Sequence, residues 1–205
     1  MKKGIDVSTY QGQINWKNVK EAGCDFSIIR TTMKNNKVDP QFYDNLAGVL
    51  ENNILDGYYK FTYSTTFPEL ARELDSLLRL LDEIHSSFPV TGTVWWDVEH
   101  NSLKNIGADM LTEMIKKAEQ KIMDLGFSFG IYTGYSFYRE RNFITEAFSC
   151  PLWIARYPLN KSFQFSDPIP EAYRPNISQM QIWQYTSQGR IRGISSFVDF
   201  NILYE

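Results

Sequence analysis

The sequence predicts a single α/β domain: a shortened, irregular (β/α) barrel of the TIM type whose last third is poor in helices. Eight short apolar or β-branched runs recur along the chain, and through the fifth they alternate with helical patterns, as parallel βαβ units require. The chain has 205 residues, whereas a full eightfold barrel takes about 250. Between Pro158 and Pro175 no helical periodicity appears, so the missing length and the missing helices coincide. The main alternative is a doubly wound open sheet. It is unattractive because Ser8-Thr9-Tyr10-Gln11-Gly12, after the first strand, is not a glycine-rich phosphate turn.

Taken in order, Gly4 to Val7 is the first strand, and Trp16 to Ala22 is a short helix closed by Gly23. Phe26 to Arg30 is a second strand, and Asp39-Pro40 opens a helix that runs to about Asn52, with Pro40 at its first position. Gly57 to Phe61 forms strand three. Pro68 to His85 places Leu70, Leu74, Leu77, Leu78 and Leu81 on one helical stripe. The apolar run Thr93-Val94-Trp95-Trp96 then leads into Asp97-Val98-Glu99. Ala108 to Leu125 is a further amphipathic helix stopped by Gly126, followed by a strand over Phe129 to Thr133 and a short helix from Tyr135 to Arg141. Leu152 to Ala155, Gln181 to Tyr185 and Phe197 to Phe200 complete the strands, the last two joined by a turn-rich segment with Gly189 and Gly193.

Composition narrows the function classes. A formal charge of -3, with basic residues scattered along the chain, leaves no electrostatic footprint for nucleic acid or a membrane surface. No apolar run is long enough to span a membrane, and no export leader is legible at the N-terminus. The expected protein is a monomer with one domain over 1–205 and no second module. Aromatic residues make up 15% of the chain, and their faces suit the stacking of sugar rings. Cys24 and Cys150 are too far apart in sequence for a metal or redox motif and read as separate thiols. His85 and His100 have no neighbours at ligand spacing, so no metal is expected.

The chemistry concentrates at the end of the fourth strand. Side chains alternate along a strand, so Asp97 and Glu99 share a face, with Cα atoms roughly 6.5 to 7 Å apart. Two carboxylates in one space can hold one proton between them, as glycosidic bond cleavage requires. The same pattern also fits a solvated strand edge, a helix cap or half of a divalent-metal site. In a closed barrel, however, Asp6, Asp97, Glu99 and Asp199 all fall near strand C-terminal ends, at the mouth where barrel enzymes keep their sites.

Across nearly its whole length the chain resembles the family 25 glycoside hydrolases, lysozymes of the N-acetylmuramidase type. The resemblance is carried by Gly-Ile-Asp-Val-Ser-x-Tyr-Gln-Gly (4 to 12), Asn-Trp-x-x-Val-Lys-x-Ala-Gly (15 to 23), Asp-Val-Glu (97 to 99) and Gly-Ile-Tyr-Thr (130 to 133). Leu-Trp-Ile-Ala-Arg-Tyr (152 to 157), Trp-Gln-Tyr-Thr-Ser-x-Gly (183 to 189) and Val-Asp-x-Asn (198 to 201) complete it. It implies an irregular barrel that acts on the peptidoglycan glycan strands of bacterial cell walls, without a cofactor, by cutting the β-1,4 bond between N-acetylmuramic acid and N-acetylglucosamine. It also implies Glu99 as general acid, Asp97 as second catalytic carboxylate, and Asp6 and Asp199 as the rest of the acidic site. A chitinase-like hydrolase and a glycan-binding barrel without turnover are the alternatives from other classes.

The chain departs from the family pattern at Lys60, where a histidine is usual, and at Met33-Lys34, where Glu-Gly is usual. Lys60, at a strand end, is expected either to contact lactyl or peptide carboxylates of the substrate or to lower the pKa values of the acids. Tyr63, Tyr132, Trp183 and Tyr185 are the candidates for sugar stacking, although Trp183 and Tyr185 also suit barrel filling.

Overall fold

A computed structural model describes residues 1–88, 92–140 and 147–204. The described residues form nine strands: β1 (Lys2–Val7), β2 (Phe26–Arg30), β3 (Leu55–Phe61), β4 (Thr93–Asp97), β5 (Ser128–Gly134), β6 (Leu152–Ala155), β7 (Phe163–Gln164), β8 (Met180–Arg190) and β9 (Val198–Leu203). The described α-helices are α1 (Trp16–Glu21), α2 (Phe42–Glu51), α3 (Phe67–Ser87), α4 (Ala108–Asp124) and α5 (Tyr135–Glu140). Strands β1 to β6 run parallel in chain order, β6 pairs with β8, and β9 closes the ring between β8 and β1. The two-residue β7 extends the far end of β8. The result is the expected shortened barrel with one extra strand. No α-helix lies between β6 and β9, where only a 3₁₀ turn at Glu171–Tyr173 occurs.

One expectation is overturned. The last strand is not parallel to the others: β9 is antiparallel to both β1 and β8. Residues 191–197, which join β8 to β9, are too few for a parallel crossover, which takes about a dozen residues or more. Asp199 therefore reaches the mouth from the N-terminal end of its strand rather than the C-terminal end, and it stands opposite Asp6 in the register.

Strand alternation divides the barrel into two apolar layers. Phe26, Ile28, Trp95, Tyr132, Trp153, Ile182 and Leu203 fill the lumen with Tyr59 against them. Their sequence neighbours, among them Ile29, Tyr58, Val94, Trp96, Ile154 and Trp183, face outward into the larger core beneath the helices. Gly130 makes room in the lumen, since a Cβ there would come within 2.5 Å of the Trp95 ring. The leucine stripe of α3 is buried as expected, and its first turn is held by a capping box between Thr66 and Glu69. Helix α2 begins at Phe42 rather than Pro40. Asp39 instead accepts hydrogen bonds from the backbone N–H groups of Gln41 and Thr9, tying the loop after β1 to the start of α2. The predicted end of α5 at Arg141 lies outside the described residues.

Cys24 and Cys150 are free and buried, and burial pushes both thiols up to about 12. No described helix is long and apolar enough to cross a membrane.

Candidate active site

The barrel mouth opens into a cleft of about 350 Å³ that contains Asp6, Asp97, Glu99 and Asp199 together. Each arrives from a different structural cause. Asp6 is the lumen-facing residue near the end of β1, and Asp97 ends β4. Glu99 lies two residues beyond that strand, with Val98 turned away into the outer core, so the predicted shared face of Asp97 and Glu99 holds although the strand itself has stopped. The Glu99 carboxylate rests near Gly134 at the end of β5, where a Cβ would meet Oε2 at 3.4 Å. A larger hollow of about 800 Å³ lies between Trp16, Gly48 and Gly193. Its single lining carboxylate, Glu51, gives it no comparable acid chemistry.

All four acids are pushed above the ordinary carboxylate range, and burial is the largest cause for each. Repulsion adds to it: Glu99 raises Asp97, and Asp6 raises both Glu99 and Asp199. Asp6 rises only to about 6 because the side-chain amides of Asn201 and Gln184 donate to its Oδ2 at 2.7 and 2.8 Å. Arg30, at the end of β2, and Lys60 pull Asp97 downward. Burial outweighs that pull and leaves Asp97 well above the ordinary carboxylate range. Asp97 Oδ1 is buried and has no hydrogen-bond partner, which leaves an acceptor for a substrate donor.

The stacking candidates divide cleanly. Tyr63 and Tyr132 line the cleft. Tyr63 stacks on Phe61 with centroids 4.6 Å apart, and its hydroxyl accepts from Arg30 at 3.2 Å, which makes a rigid aromatic wall. Trp183 and Tyr185 do not reach the cleft. They face the outer core on either side of Gln184, fully buried, with Trp183 Nε1 donating to the Arg156 carbonyl. Lys60 is also outward and fully buried. It shares the phase of Tyr58 rather than of Tyr59 and Phe61, donates to the Phe61 carbonyl and lies 3.8 Å from Glu73 of α3. It acts on Asp97 only at a distance, and its position leaves it out of reach of a substrate in the cleft.

Several cleft residues were missed in the sequence. Gln184 is the hub: its Oε1 accepts from the hydroxyls of Tyr132 and Tyr157 while its amide holds Asp6. Trp153 Nε1 in turn donates to Asn201 Oδ1 at 2.8 Å. The alternation of β8 carried the signal, because a glutamine flanked by outward Trp183 and Tyr185 must point inward.

The match to the family model for glycosyl hydrolases family 25 extends over residues 5–194. The chain belongs to that family. This glycoside hydrolase is 24% identical over 214 residues to Lysozyme M1 of Streptomyces globisporus, an alignment covering 97% of this chain and 66% of the relative. It is 24% identical to an autolytic lysozyme of Clostridium acetobutylicum over 97% of this chain and 55% of that one. The chain thus spans roughly half to two thirds of the length of these curated relatives. Among solved structures, the catalytic domain of an endolysin from bacteriophage P40 of Listeria monocytogenes superposes with a TM-score of 0.81. That pair shares 22% identity and the match covers 100% of this chain and 94% of that one. The bacterial lysozyme of Streptomyces coelicolor gives a TM-score of 0.72 at 23% identity, over 99% and 92% of the two chains. These likenesses establish the barrel.

Proposed function

We propose that this family 25 hydrolase is a peptidoglycan N-acetylmuramidase. It acts at the bacterial cell wall as a monomer and cuts the β-1,4 bond between N-acetylmuramic acid and N-acetylglucosamine. The observation that carries the reading is that Asp97 and Glu99 face one cleft, both with raised pKa values. Glu99 is the general acid. Its carboxyl is raised by burial and by the Asp6 charge, which favours the protonated form that a donor to the leaving glycosidic oxygen needs. Asp97 stabilises the oxocarbenium-like transition state from the other side, with Arg30 offsetting part of what burial costs its anion.

Two mechanisms use this arrangement. In one, Asp97 attacks the anomeric carbon; in the other, its unpartnered Oδ1 holds the N–H of the substrate's N-acetyl group while that group attacks. Azide added to Asp97→Asn separates them: an inverted glycosyl azide accompanies the first and not the second. The names of the lysozyme relatives support the substrate.

The deciding experiment follows turbidity of purified cell walls and identifies the new reducing ends by mass spectrometry. N-acetylmuramic acid at those ends is the expected result. N-acetylglucosamine ends, or no cleavage, overturn the proposal.

A further inference from the structure

We propose that a second hollow, across the Tyr63 ring from the cleft, binds a carboxylate of the acidic peptide attached to the muramic sugar; this rests on the peptidoglycan reading above. The hollow measures about 240 Å³ and shares Tyr63 with the cleft as a common wall. Its basic members are Lys34, on the turn after β2, and Arg72, on α3.

The charges in the hollow are not mutually satisfied. Its two carboxylates are already engaged by the protein. Glu69 Oε2 accepts from the Thr65 and Thr66 backbone N–H groups and from the Thr65 hydroxyl. Glu73 accepts from the Tyr63 N–H at 2.8 Å and the Thr62 hydroxyl at 2.7 Å. Among the described residues neither Lys34 nor Arg72 forms an ion pair; Lys34 only lies over the Tyr63 ring at 5.3 Å. Both remain available to an anion.

Unpartnered polar atoms point to the kind of anion. Ser64 is 2% exposed and lines the hollow, yet its hydroxyl has no hydrogen-bond partner. Asn36 Oδ1 is likewise buried and unpaired. Its turn is fixed by the Asn36 N–H to the Met33 carbonyl and by the Ser76 hydroxyl to the Asn36 carbonyl. A hydroxyl donor with two cations suits a carboxylate, and an amide oxygen beside them suits a peptide N–H. An inorganic anion uses only the first set. Two extended residues span about 7 Å, and among the described residues Tyr63 is the only side chain that lines both the cleft and the hollow.

The test measures binding, so that it does not depend on turnover. In a Glu99→Gln background, soluble glycan oligomers with their peptides, and the same oligomers stripped by an amidase, are titrated calorimetrically. The titrations are repeated with Lys34→Ala and Arg72→Ala added; both positions are exposed, and thermal unfolding confirms the fold. The preference for the peptide-bearing oligomer is expected to fall by about tenfold or more, the worth of a charge-assisted hydrogen bond. Ser64→Ala should erode it in the same direction. An unchanged preference, or an equal loss on stripped chains, overturns the site and leaves the muramidase reading intact. Failure of the background protein to bind either oligomer overturns both.

Discussion

Gln184→Leu tests whether the acid cluster is held up by the hub beneath it. The substitution keeps a side chain of similar bulk at a position that is 2% exposed, but removes the amide. Asp6 loses its 2.8 Å donor, and the buried Tyr132 hydroxyl loses its 2.9 Å acceptor. The Tyr157 hydroxyl belongs to a residue that is 47% exposed and can turn to water, so it adds little. A hydrogen bond to a charged group contributes about 1.5–3 kcal/mol and an orphaned buried hydroxyl costs about 1–3, giving a loss of roughly 3–5 kcal/mol. At about 2–4 °C per kcal/mol for a chain of this size, Tm should fall by roughly 10 °C. Asp6 should also titrate above its wild-type value of about 6, because a donor to its anion has gone. Denaturant titration reads the first effect and carboxyl carbon NMR the second. Unfolding within about 1 kcal/mol of wild type, together with an unmoved Asp6 titration, would refute the reasoning.

Three further outcomes follow from the same site. Glu99→Gln should lower kcat by about 10² to 10⁴, the usual worth of a positioned acid, while glycan binding persists; wild-type lysis by a folded variant removes Glu99 from its role. Asp6 and Asp199 both have raised folded pKa values; the stability from Asp6 is complete below about 3.8 and is lost as pH rises through about 6, and that from Asp199 is likewise lost as pH rises. Asp199→Asn should flatten that decline, and an unaltered slope of unfolding free energy between pH 4 and pH 7 would count against the paired acids. Lys60 is lowered to about 8 by burial, so the folded state binds its proton less well than the unfolded chain does. Relative to Lys60→Met, the wild type should gain up to about 3 kcal/mol as pH rises from about 8 to 10.5; a flat difference argues that the ammonium is not desolvated.

Much of this molecule was legible in its residues, and the errors share a cause. Strands β2 and β6 fall where their apolar runs place them, and Gly23 and Gly126 end helical segments with φ of 96° and 85°. Asp97 and Glu99 were found because a two-residue phase survives the end of the strand. Lys60, Trp183 and Tyr185 were misplaced because residue type was weighed above phase. An amine and two large aromatics near strand ends invite a role in the cleft, but in this barrel the helix-facing layer also takes tryptophan and tyrosine rings and even a lysine paired with Glu73. Gln184 and Asn201 stood inside the family motifs but were given no role, because an amide shows its use only once closure of the sheet brings Asp6 to it. The reversed β9 was readable from the brevity of 191–197.

That reversal governs when the enzyme comes into being. Asp6 lies in β1, made well before β9, which carries Asp199 and Asn201 and seals the ring against β1. Until β9 docks, β1 presents a bare edge and Asp6 lacks both its acidic neighbour and one of its two amide donors. The pairing joins segments almost a whole chain apart, so loop closure makes it a slow, late event in folding. A partly translated or proteolytically clipped chain is thus an open sheet with an unfinished acid cluster. Closure of the barrel and completion of the acid cluster arrive in the same step.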